Sequence, residues 1–110
     1  MATTISNPLV VEFVHAAPGA LNFTPTRQLR VFDAIGRVTT QAAVATSFRI
    51  SNVANNITDA ASLGNNTADL LGRAGTIDDA FYVVAQSGTL RSTLTGAGTA
   101  AIVYVYCYGA

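Results

Sequence analysis

Near its C-terminus the chain reads Ile102-Val103-Tyr104-Val105-Tyr106-Cys107-Tyr108, and this alternation constrains the fold more than any other stretch. In extended chain, successive side chains point to opposite faces. Val103, Val105 and Cys107 therefore share one face, and Ile102, Tyr104, Tyr106 and Tyr108 share the other. A helix would spread both sets around its axis, so the run specifies a strand with two chemically distinct sides. The side without hydroxyls is assigned inward, because a buried tyrosine oxygen needs a hydrogen-bond partner. The tyrosine side is too apolar for open solvent. Tyrosine is enriched where subunits meet, which makes Ile102, Tyr104, Tyr106 and Tyr108 the candidate interface residues.

The same period recurs upstream. Pro8 to His15 is a β-branched and aromatic run with no helical stripe, and is read as a strand. Pro18-Gly19 and Pro25 punctuate what is expected to be a long irregular loop. Gln28 to Ile35 alternates Leu29, Val31 and Asp33 with Arg30, Phe32 and Ala34 before Gly36 stops it. Val44 to Ser51 sends Phe48 and Ile50 one way and Ser47, Arg49 and Ser51 the other. Two short strands are expected at Thr58–Leu63 and Thr67–Leu71, with turns at Asn55-Asn56 and Gly64-Asn65-Asn66. Thr76 to Ala80 carries a capping-box pattern sufficient for one helical turn. Strands at Phe81–Ala85, Thr89–Thr95 and Thr99–Tyr108, separated by Gln86-Ser87-Gly88 and Gly96-Ala97-Gly98, then predict a meander.

These readings sum to an all-β antiparallel sandwich or jelly roll with at most one short helical turn. The 110 residues fit one domain, read as residues 8–110 behind a polar N-terminal arm of residues 1–7. Neither a basic n-region with an apolar core nor a run of about 18 apolar residues occurs, so the expectation is a protein without secretory signal or membrane span.

Charge is sparse. Only 11% of residues are charged and the formal net charge is zero, where about 25% charged is ordinary, which points to surface covered by neighbours. The cations are Arg27, Arg30, Arg37, Arg49, Arg73 and Arg91, scattered singly, and nucleic-acid binding would need them clustered. The single histidine and single cysteine, His15 and Cys107, are the raw material of a nucleophile–base pair. Cys107 shares its face with Val103 and Val105, however, and reads as a core thiol. His15 reads as a strand-edge residue bonded to a loop carbonyl. The acids show no calcium-loop spacing, and Asp78-Asp79 reads as a cap or turn. Neither a cofactor, a metal nor an enzymatic activity is expected.

Arg73-Ala74-Gly75-Thr76-Ile77-Asp78-Asp79-Ala80, followed by Ser87-Gly88-Thr89-Leu90-Arg91 and the closing apolar strand, resembles small tailed-bacteriophage capsid decoration, or cement, proteins over Val44 to Tyr108. The resemblance implies a homotrimeric jelly roll, made in the bacterial host cytoplasm. It would sit on the capsid exterior of the virion, bind the major capsid protein and stabilise contacts between its subunits. The interface formed by Ile102, Tyr104, Tyr106 and Tyr108 would then face another subunit or the capsid. The alternative is a receptor- or glycan-binding β-module on a virion surface, for which aromatics in loops, rather than in strands, would be expected.

Overall fold

The computed structural model describes residues 9–40, 45–53, 55–65, 71–73 and 83–109. Among them every regular element is a strand: β1 Leu9–His15, β2 Gly19–Phe23, β3 Leu29–Thr40, β4 Ala45–Ser51, β5 Ala61–Asn65, β6 Leu71–Arg73, β7 Val83–Val84, β8 Leu90–Thr95 and β9 Ala100–Gly109. The expected arm at residues 1–7 and helical turn at residues 76–80 lie outside the described residues. The strands form two antiparallel sheets. One has the order β1-β9-β3-β6 with β7 also paired to β3, and the other the order β2-β8-β4-β5.

This order is a jelly roll. Pairing β1 with β9, β2 with β8, β3 with β6 and β7, and β4 with β5 describes one long hairpin whose successive strand pairs fall in alternate sheets. The core lies between the sheets. Phe13, Val31, Val38, Val103 and Val105 come from one side and Phe48, Ile50, Leu63, Leu90 and Leu94 from the other, all buried. Each such side chain contributes about 1.5–3 kcal/mol when fully buried.

Several expectations are corrected. The loop expected between Pro18 and Pro25 contains β2, which pairs along its length with β8. The prolines flank that strand without interrupting it, and because all five of its residues are exposed it carries no inside-outside contrast to read.

Gly36 does not end β3, which runs on to Thr40. A Cβ at Gly36 would lie 2.9 Å from the Phe48 ring, so the glycine makes room for an aromatic side chain and is not a stop. The faces of β3 also switch. Val31 pairs with Cys107 but Asp33 with Tyr106, so Phe32 is an extra residue in a β-bulge. Leu29 and Val31 point inward before it and Ala34 and Val38 after it, while the Asp33 carboxylate accepts the Ala34 N–H at 2.9 Å.

The expected meander does not form. β8 and β9 lie in different sheets, so the turn through Gly96 and Gly98, both at positive φ, carries the chain across the sandwich. Finally, β5 begins three residues later than read, at Ala61; of the strand expected at Thr67–Leu71 only Leu71, the first residue of β6, lies among the described residues. Gly64 and Asn65, expected in a turn, pair with β4 across a register shift.

Candidate functional site

The closing strand places its side chains as its alternation predicts. Val103, Val105 and Cys107 are fully buried, and Ile102, Tyr104, Tyr106 and Tyr108 are on the outer face, where Tyr108 is 48% exposed. β9 is a central strand with β1 on one side and β3 on the other, so this row runs down the middle of an open sheet face. Ile102 stands between Val14 and Arg37, Tyr104 between Glu12 and Ile35, and Tyr106 between Val10 and Asp33. Val10 and Val14 are 50% and 57% exposed.

The bulge in β3 extends the row. It turns Phe32 outward, where its ring stacks on Tyr108 at 4.5 Å with an interplanar angle of 24° and lies 6.3 Å from Tyr106 at a tilt of 48°. Both separations fall in the range in which aromatic pairs attract. Phe32 belongs to the aromatic face and was missed in the sequence, where unbroken alternation put it beside Ala34. The only available signal was Asp33, whose side chain can bond the next backbone N–H and so stabilise a kink.

The opposite sheet differs in chemistry. Its outer face carries Ser47, Arg49, Ser62, Arg91 and Thr93, and Arg91 Nε donates to Asn22 Oδ1 at 2.8 Å. One broad face is thus polar and the other an apolar and aromatic stripe edged by charges. An exposed apolar stripe on a chain with little charge is the candidate surface for contact with a partner.

A smaller feature lies at the side of the sandwich. β1 and β2 are the edge strands of the two sheets, and a cleft of about 200 Å³ opens there between Val10, Val11, Phe23, Pro25 and Leu29. No sequence signal marked it, because its walls meet only once β1, β2 and β3 are assembled.

His15 and Cys107 are not brought together. Within the β1–β9 ladder His15 lies opposite Ala101 and Cys107 opposite Leu9, a separation of about 20 Å at the rise of extended chain. Burial pushes the Cys107 thiol up to about 12, so it stays protonated and behaves as a small apolar group. His15 does not bond a loop carbonyl as expected. It is buried, and its Nε2 shares a 2.9 Å hydrogen bond with Ser92 Oγ on the opposite sheet, the donor being set by the imidazole tautomer. A serine within reach of a histidine is the start of a hydrolytic dyad. Ser92 is wholly buried between the sheets, so no substrate can reach it, and the pair serves as an inter-sheet bolt. Among the described residues no three His, Cys, Asp or Glu side chains gather where they could hold a metal ion.

Compared with family models, curated proteins and solved structures, the chain matches none, and its assignment rests on its own geometry: an antiparallel jelly roll with one polar and one aromatic outer face.

Proposed function

We propose that this chain is a structural, non-enzymatic virion protein: a capsid decoration, or cement, protein that works as a homo-oligomer, a trimer, on the outside of a phage head and stabilises contacts between major capsid subunits. It would be made in the bacterial host cytoplasm. The observation that supports this reading best is the outer stripe of Ile102, Tyr104, Tyr106, Tyr108 and Phe32, an aromatic surface on rigid strands with little charge. Stacked, strand-borne rings lose little conformational entropy when covered, which suits a flat partner. The jelly-roll strand order is compatible with this role but common to many functions, and so lends only general support. A ligand that binds the assembled shell in preference to its free subunits stabilises it by mass action.

The test is to add purified protein to phage heads that lack it. Bound heads should rupture at a higher temperature, and the Tyr104→Ser, Tyr106→Ser double variant should fold but fail to bind. Failure of the wild-type protein to bind heads, with head melting unchanged, refutes the reading. The exposed Phe32–Tyr108 stack also favours a second reading, a glycan-binding module, because rings offer platforms for sugars. A reproducible glycan-array hit lost on Phe32→Ala would put that reading first.

A further inference from the structure

We propose that the β1/β2 side of the sandwich is the surface on which a second copy of this chain docks. The proposal rests on the oligomeric part of the reading above and is independent of its phage-head part.

The two sides of the sandwich are built differently. Sheet edges present unpaired backbone groups, and proteins guard them with charge, proline, bulges or short strands. On the far side β5 pairs with β4 through a register shift. On the near side β1 runs seven residues and β2 five, and both pair without a shift. Neither contains proline, and Glu12 is their only charged residue. Among the described residues the near side is thus a regular pair of edges whose charges are Glu12 on β1 and Arg27 at the cleft.

It is also where the exposed apolar side chains gather. Of the seven large hydrophobic residues exposed among those described, Val10, Val14, Leu21 and Phe23 lie on β1 and β2. The cleft beside Val10, Phe23 and Leu29 opens on the same side. Water hydrogen-bonds the backbone groups of the edge but leaves the apolar side chains exposed, and a neighbouring strand covers the side chains while replacing those hydrogen bonds.

The available area fits a second copy of this chain. A seven-residue strand is about 23 Å long and two sheets are about 10 Å apart. Each sheet is a layer about 10 Å thick, so the side is about 20 Å across and offers about 460 Å² per partner, or about 900 Å² in total, close to the lower bound for a specific interface. Such an interface forms at high protein concentration and dissociates on dilution.

The test is light scattering of the full chain over a dilution series, with Leu21→Asp, Phe23→Asp at the edge and Thr93→Asp on the polar face as a control. Wild type and control should show a multiple of 11.4 kDa that falls on dilution, and the edge variant should remain a monomer with an all-β circular dichroism spectrum. An edge variant with the wild-type mass, or a wild type that is monomeric throughout, overturns the proposal. If the edge variant does not fold, hydrogen exchange on the wild type decides. The β1 amides that do not donate to β9 should exchange more slowly at high concentration, and concentration-independent exchange overturns it. Loss of head binding with these masses unchanged would count only against the phage-head part.

Discussion

Acidification from pH 7 to pH 5.5 should destabilise this protein through one residue. His15 is the only histidine, the side chain whose ordinary pKa lies in this interval. Burial between the sheets lowers the His15 pKa below its ordinary 6.5, because the protonated ring would lose its hydration. The unfolded chain therefore binds more protons than the folded one below pH 6.5, and acid favours unfolding. Stability from this source is fully present above that pH and is lost as pH falls toward the folded pKa. If the folded ring stays neutral throughout, the loss between pH 7 and pH 5.5 reaches about 1.3 kcal/mol. With a urea slope of about 1–3 kcal/mol/M, the unfolding midpoint should fall, by at most roughly 0.4–1.3 M. The assay is urea unfolding at both pH values at fixed protein concentration, since association would otherwise contribute. The 2.9 Å bond to Ser92 provides the control. Ser92→Ala alone orphans a buried imidazole nitrogen and should cost about 1–3 kcal/mol. His15→Leu with Ser92→Ala removes both partners, should cost less than the two single changes summed, and should abolish the pH dependence. Equal pH dependence in the wild type and the double variant, or greater wild-type stability at pH 5.5, refutes the reasoning.

Two further predictions concern the core. Gly36→Ala puts a methyl group 2.9 Å from two Phe48 ring carbons and 3.1 Å from Leu63 Cδ2. Neither neighbour is at the surface, so the change should cost about 1–3 kcal/mol by overpacking, read as a lowered Tm; an unchanged Tm would mean that the ring moves freely. Cys107, buried and with its thiol pushed up to about 12, should resist a soluble thiol reagent at pH 8 in the native protein and react at once in denaturant. Rapid native labelling would show that the C-terminal strand opens locally.

What the sequence revealed and what it hid separate along a physical line. The closing strand was legible because a central strand, with one face in the core and the other on the tyrosine row, displays strict alternation. β2 was not, because every side chain on it is exposed and burial leaves no imprint there. The bulge at Phe32 was hidden because it adds one residue without altering composition, yet it decides which aromatic side chains share the outer face. The pairing of strands was least legible. A glycine turn of the right length fits a hairpin as well as a crossing between sheets, and only the partner strands, β1 and β3 for β9 and β2 and β4 for β8, distinguish the two. The candidate interface was read in its central row and missed at Phe32, and the β1/β2 cleft is purely a product of topology.

The nested hairpin also sets a schedule for synthesis. Among the described residues β1 pairs in a ladder with β9 alone, with Leu9 opposite Cys107, so an early strand must wait for one made about 90 residues later. At about 5–20 residues per second, the nascent chain carries an unpaired, valine-rich strand for roughly five to twenty seconds. Contacts this distant in sequence also slow folding after release. Yield in a host cell is therefore governed by how well that early strand is shielded until β9 emerges, and cooling the culture or supplying a holding chaperone should raise the soluble fraction more than any change to the finished core.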